Sequence, residues 1–151
     1  MTIKRRKFLK SISLSTIYPL ANIEPSLFSN PNSSRVKEFY QKAIVIDGLI
    51  IPRGWNEDSF KALDESGYTG FSASLPSKNF KIAMSSLLKW EKKIKSNSNK
   101  LILAKSSKDF YRAKKEGKTG VLLGFQNATM IENSIENIES LYKAGARWIQ
   151  L

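Results

Sequence analysis

The residues best placed to do chemistry are a short polar run, Gln126-Asn127-Ala128-Thr129, which follows the apolar run Val121 to Phe125. Gln126 and Asn127 are uncharged and carry both donor and acceptor groups, which suits them to hydrogen-bond a peptide or another amide. A second group lies upstream. Asp47 follows an apolar, β-branched stretch and precedes Gly48, and Arg53 and Trp55 stand in the segment after it. Asp47 either orients a ligand or satisfies loop amides. Arg53 either pairs with a ligand carboxylate, as a guanidinium does well, or is an exposed loop residue. Arg147 precedes the last apolar run, at the wrong end of a strand for a binding face, and reads as structural. The chain contains no cysteine and no histidine, so thiolate and imidazole chemistry are excluded, and with them disulfides.

Such residues act only if strands and helices bring them together, and the chain has that alternation. Ala43 to Leu49, Tyr68 to Leu75, Lys100 to Ala104, Thr119 to Phe125 and Trp148 to Leu151 read as strands. Between them, Glu57 to Ser66, Phe80 to Lys95, the segment after Ser106 and the segment around Ile135 to Tyr142 read as helices, with a further short helix at Arg35 to Lys42. Gly67, Gly117 and Gly145 mark helix ends. Ser106 with Asp109, and Asn133 with Glu136, have capping-box spacing. Strand, loop, helix, turn, strand is the repeating unit of a parallel α/β fold. In such folds functional groups gather at the C-terminal ends of the strands. These ends are expected at Asp47 to Trp55, Ser72 to Leu75, Lys105 to Ser107 and Gln126 to Thr129.

The net charge is +12 over 151 residues. Lys4, Arg5, Arg6, Lys7 and Lys10 supply five of these charges, and the rest are mostly lysines spread along helices. That distribution reads as a solvated face, and no recognised motif makes nucleic acid a partner. Lys4 to Lys10, KRRKFLK, is similar to the twin-arginine export signal, with Phe8, Leu9 and Lys10 at the offsets that signal requires. The apolar stretch after it, Ser11 to Ala21, is shorter than the ~20 residues of a membrane span. Residues 1–34 therefore read as an export leader and linker, with the export machinery as a partner and the periplasm or cell envelope as destination.

The wording of three segments is more specific than their pattern. TGVLLGFQNATMIENSIENIESLYKAGARWIQL at Thr119 to Leu151, AIVIDG at Ala43 to Gly48 and KDFYRAKKEGK at Lys108 to Lys118 resemble the membrane (renal) dipeptidase family of zinc peptidases. The resemblance spans roughly residues 35–151. It implies an α/β chain forming the first half of a (β/α)8 TIM-barrel-like metallo-hydrolase fold, truncated after about five strands, since such barrels take about 250 residues. It also implies a hydrolase for dipeptides or related small amides, with two zinc ions activating a water. In that family a His-x-Asp pair follows the first strand and a bridging glutamate follows a later one. Here Leu49 and Ile51 stand in place of the pair, and Gln126 in place of the glutamate. No metal ligand is therefore assigned, and zinc, the family's cofactor, is not expected to bind this chain tightly. Asp47, Arg53, Trp55, Gln126 and Asn127 remain the candidate residues for a small peptide-like substrate. The alternative is a non-catalytic, barrel-derived binding protein for such ligands. The sequence does not fix the oligomeric state.

Overall fold

The computed structural model describes residues 34–151. The proposed export leader lies outside the described residues. The chain divides into two units, residues 1–41 and residues 42–151. The described part of the first belongs to helix α1, Ser34–Lys42, whose last residue is counted with the second. The second unit holds β1 (Ile46–Ile50), α2 (Glu57–Ser66), β2 (Gly70–Ser74), α3 (Phe80–Ser96), β3 (Leu101–Leu103), α4 (Ser107–Glu116), β4 (Thr119–Phe125), a 3-10 turn (Thr129–Ile131), α5 (Glu136–Lys143) and β5 (Ala146–Ile149). Among the described residues no helix is long and apolar enough to cross a membrane.

Local chemistry sets most of these boundaries. Asn56 accepts the N–H of Ser59 at the start of α2, and the Ser59 hydroxyl accepts the N–H of Asn56 in return. Asn79 caps α3 by accepting from the N–H of Ile82. Asp109 reaches back to accept the N–H groups of Lys105 and Ser106 at the start of α4. Gly67 and Gly117 end α2 and α4 with φ of 66° and 63°, a left-handed turn that glycine takes without steric cost.

All strands are parallel. β2 bonds directly to β4 along residues 120–124, and β1 flanks β2. β3 and β5 share the remaining edge of β4. β3 pairs with residues 119–121 and β5 with residues 123–125. A three-residue β3 leaves the second half of that edge open, and β5 occupies it.

One face of the sheet carries the core. Phe71, Ala73 and Leu75 alternate with residues of the other face along β2 and just past it, as do Val121, Leu123 and Phe125 along β4. They pack against Phe60 and Leu63 of α2, Ala83, Leu87, Trp90 and Ile94 of α3, and Leu141 of α5. Each fully buried large side chain in such a cluster contributes about 1.5–3 kcal/mol. On the opposite face Phe110 of α4 lies over Gly70 and Gly120. A β-carbon on Gly70 would fall 2.3 Å from that ring and 2.6 Å from the Gly120 carbonyl oxygen. The two glycines thus let α4 cover the N-terminal end of this face. Further along it stand Ser72, Leu122 and Gly124, with the Trp148 indole against Gly124.

Three expectations are corrected. Asp47 lies inside β1 rather than at its end. β5 begins two residues earlier than Trp148, so Arg147 is within the strand, because pairing of Leu123 with Ala146 sets its start. Asn133 does not open α5. Ile135 occupies the cap position, and the chain reaches it through Glu132, whose φ is 54°. Arg147 is structural all the same. Its guanidinium donates to the Lys105 and Tyr142 carbonyls and stacks 4.0 Å from the Tyr142 ring.

Candidate functional site

Residues 51–56, 75–79 and 126–135 form the loops that follow the C-terminal ends of β1, β2 and β4. The last two are tied together. Asn127 Oδ1 accepts from the Ser77 hydroxyl at 3.0 Å and from the Thr129 N–H at 3.1 Å, and Thr129 Oγ1 lies 2.6 Å from both Asn127 Oδ1 and the Ser77 carbonyl oxygen. A hydroxyl has one proton, so Thr129 donates to one of these at a time. Glu132 completes the tie by accepting the first N–H of α3, from Phe80, at 3.0 Å. Positive φ at a residue with a β-carbon is uncommon and carries strain, here held by contacts on both sides of the turn. Asn127 is thus a loop latch. What it has left to offer a ligand is its Nδ2 amide.

The register places the other candidates. Asp47 pairs with Phe71, and Phe71 with Val121. At ~3.3 Å per residue, Asp47 therefore sits about 16 Å short of the level of Gln126. The structure does not bring them together, and Asp47 Oδ1 accepts the N–H of Leu49 at 2.9 Å. Arg53 is exposed in the turn after β1, where its N–H donates to the Ile51 carbonyl. Gln126 is half-buried at the end of β4.

Trp55 is a packing residue. Its ring stacks on Phe71 at 5.4 Å and meets Trp90 and Phe60 edge-on at 5.3 and 5.8 Å. Its indole Nε1 is buried without a hydrogen-bond partner.

Ser74, within the expected strand end Ser72 to Leu75, and Ser77, which sequence reasoning passed over, contribute to this end of the sheet. Ser74 and Ser77 are almost fully buried, although serines are mostly exposed. The only advance signal was a hydroxyl at the end of an apolar strand. Past α4's cover, the face opposite the core offers Ser72, Leu122 and Trp148. These side chains are uncharged: one hydroxyl, one hydrocarbon and one indole.

The membrane dipeptidase family model, peptidase family M19, matches residues 34–151. The chain belongs to the membrane dipeptidase family. A solved structure described as an amidohydrolase from Pseudomonas aeruginosa is similar, with 34% identity and a TM-score of 0.68. That match covers 73% of this chain and 34% of the other, so the chain spans about a third of that protein's length. No match was found among curated proteins. The parallel five-stranded sheet is thus the α/β architecture of a hydrolase family with a TIM-barrel-like fold.

Membrane dipeptidases are zinc enzymes, and these residues do not fit zinc. Ile50 packs against the core, whereas its neighbours Leu49 and Ile51 are 45% and 50% exposed. Both are hydrocarbon, and Gln126 is a neutral amide. Among the described residues no three His, Cys, Asp or Glu side chains come together to hold a metal. No chemical step is routed through a metal on this part of the fold.

Proposed function

We propose that the protein is a membrane-dipeptidase-like hydrolase acting on dipeptides or related small amides, in which residues 42–151 supply substrate-binding surface rather than the water-activating centre. The observation that carries the reading is the family match over residues 34–151, combined with uncharged polar residues, Gln126 and Asn127, at the end of the central strand β4. An amide substrate presents one donor and one acceptor, which a glutamine side chain matches. The test is amino-acid release from a panel of dipeptides and N-acyl amino acids, with and without added zinc. Turnover that falls in Gln126→Ala supports the reading, and absence of turnover on every substrate overturns it.

The second reading, a non-catalytic binder of peptide-like ligands, is favoured by the exposed Leu49 and Ile51 at positions where the family carries metal ligands. Saturable dipeptide binding without turnover would select it.

Export through the twin-arginine route is part of the proposal and is supported by KRRKFLK at Lys4 to Lys10. A fusion of residues 1–34 to a reporter that needs folded export tests it. Export should be lost when Arg5 and Arg6 are both changed to Lys, and unchanged export refutes the address.

A further inference from the structure

A cleft of about 540 Å³ runs between α3 and the loops after β1 and β2. Its floor and walls are Pro52, Pro76, Ile82 and Trp90, and Lys81, Lys89 and Lys93 line it. The Ser86 hydroxyl, 2.8 Å from the Ala83 carbonyl oxygen and 3.2 Å from that of Pro76, ties the helix to the loop and fixes the wall. Three lysines elsewhere on the helices are paired with carboxylates at i,i+4 spacing, Lys61–Glu65, Lys95–Glu91 and Lys143–Glu139. Among the described residues no carboxylate lines this cleft. Lys89 and Lys93 are instead like charges four residues apart, about 6 Å along the helix, an arrangement that disfavours the helix when nothing sits between them. Lys81 stands about 12 Å further toward the N-terminus of α3.

We infer that this cleft binds a small ligand with an apolar body and a phosphate monoester group, the anion held between Lys89 and Lys93 and the body lying against Pro52, Pro76 and Trp90. Two lysines about one helical turn apart can each donate to a different oxygen of one phosphate. The Lys93 ammonium lies 5.2 Å over the Trp90 ring, and burial pulls its pKa below the usual lysine range. An anion beside it compensates the lost hydration. The cleft shares the loops after β1 and β2 with the candidate amide site, but Gln126 and Asn127 do not line it, so either function can fail without the other.

Phenyl phosphate is the probe for the free ligand, and phosphatidylcholine vesicles containing phosphatidic acid are the probe for a lipid headgroup of the same chemistry. Calorimetric titration of the full chain with the first, and co-sedimentation with the second, should give saturable, salt-sensitive binding in at least one arm, and the arm that binds identifies the source. Loss of two charge-assisted hydrogen bonds predicts at least about a tenfold weakening in Lys89→Gln/Lys93→Gln. The thermal midpoint of that variant should be unchanged or higher, since a like-charge pair is removed. Lys108→Gln/Lys115→Gln on α4 removes the same charge elsewhere and should bind normally. No saturable binding in either arm, or equal weakening in both double variants, overturns the inference.

Discussion

Trp55 decides between two meanings of the loop after β1, and its replacement separates them. The ring has three aromatic neighbours, Phe71, Trp90 and Phe60, with centroids 5.3–5.8 Å away. Such pairs contribute about 0.5–1.5 kcal/mol each beyond their buried area. Truncating a packed Trp to Ala costs about 3–5 kcal/mol, and partial exposure of Trp55 puts the expectation near the lower bound, about 3 kcal/mol. For a unit of this size that lowers the thermal midpoint by roughly 12 °C. Trp55→Phe keeps a ring on Phe71 and removes an indole N–H that is buried without a partner, a group whose burial itself costs about 1–3 kcal/mol. It should therefore lose less than about 1 kcal/mol. Urea titration of both variants, with the slope compared to the parent, is the assay. A ligand contact would give the opposite pattern, with stability kept and binding lost. A loss below about 1 kcal/mol in Trp55→Ala at unchanged slope refutes the packing assignment.

Gly124→Ala should destabilise by about 3 kcal/mol, the upper end for overpacking, because its β-carbon would lie 2.4 Å from the Trp148 backbone oxygen; denaturant midpoints check this. Asp109→Asn should cost about 1 kcal/mol at neutral pH as a weakened helix start. Partial burial pushes the Asp109 carboxyl up, but the Lys105 N–H, the Ser106 hydroxyl and N–H, and Arg112 outweigh it and hold its pKa below the usual range. The folded pKa is depressed, so this stabilisation is present above the unfolded value near ~3.9 and fades as pH falls through the folded value. The gap between parent and variant should accordingly close below about pH 4 in melting experiments. Zinc should bind the chain no better than micromolar near pH 7, since tight sites need His, Cys or clustered carboxylates. A stoichiometric nanomolar site in calorimetry would show that the register argument for Leu49, Ile51 and Gln126 is wrong.

Elements governed by local chemistry were legible in the sequence. Glu57–Ser66 and Thr119–Phe125 have the limits read from pattern alone, and Gly67 and Gly117 take the left-handed turns their positions suggest. What was not legible depends on partners distant in sequence. The start of β5 is set by Leu123, and Trp55 is claimed by Phe71 and Trp90. Asn127 is held by Ser77, fifty residues away. Asn133 and Glu136 have capping-box spacing, but the 3-10 turn and the positive φ of Glu132 bring the chain into α5 along a different path. The lysine row on α3 was visible as charge. The concavity beneath it required Pro52 and Pro76 from two other loops.

The packing also explains how this part of the fold holds together with Leu49, Ile51 and Gln126 where the resemblance calls for metal ligands. The core lies on the face of Phe71, Ala73, Val121, Leu123 and Phe125, all fully buried, and Ile50 joins it from β1. Leu49 and Ile51 flank Ile50 and are largely exposed, and Gln126 lies just past β4. None of the three is among the side chains that build the core cluster. Exchanging a ligand for a hydrocarbon or a neutral amide at these positions removes little packing, whereas exchanging Phe71 or Leu123 would cost several kcal/mol. Packing of the sheet and helices therefore places little demand on these three positions. Family membership then establishes the scaffold, and it does not by itself fix the chemistry.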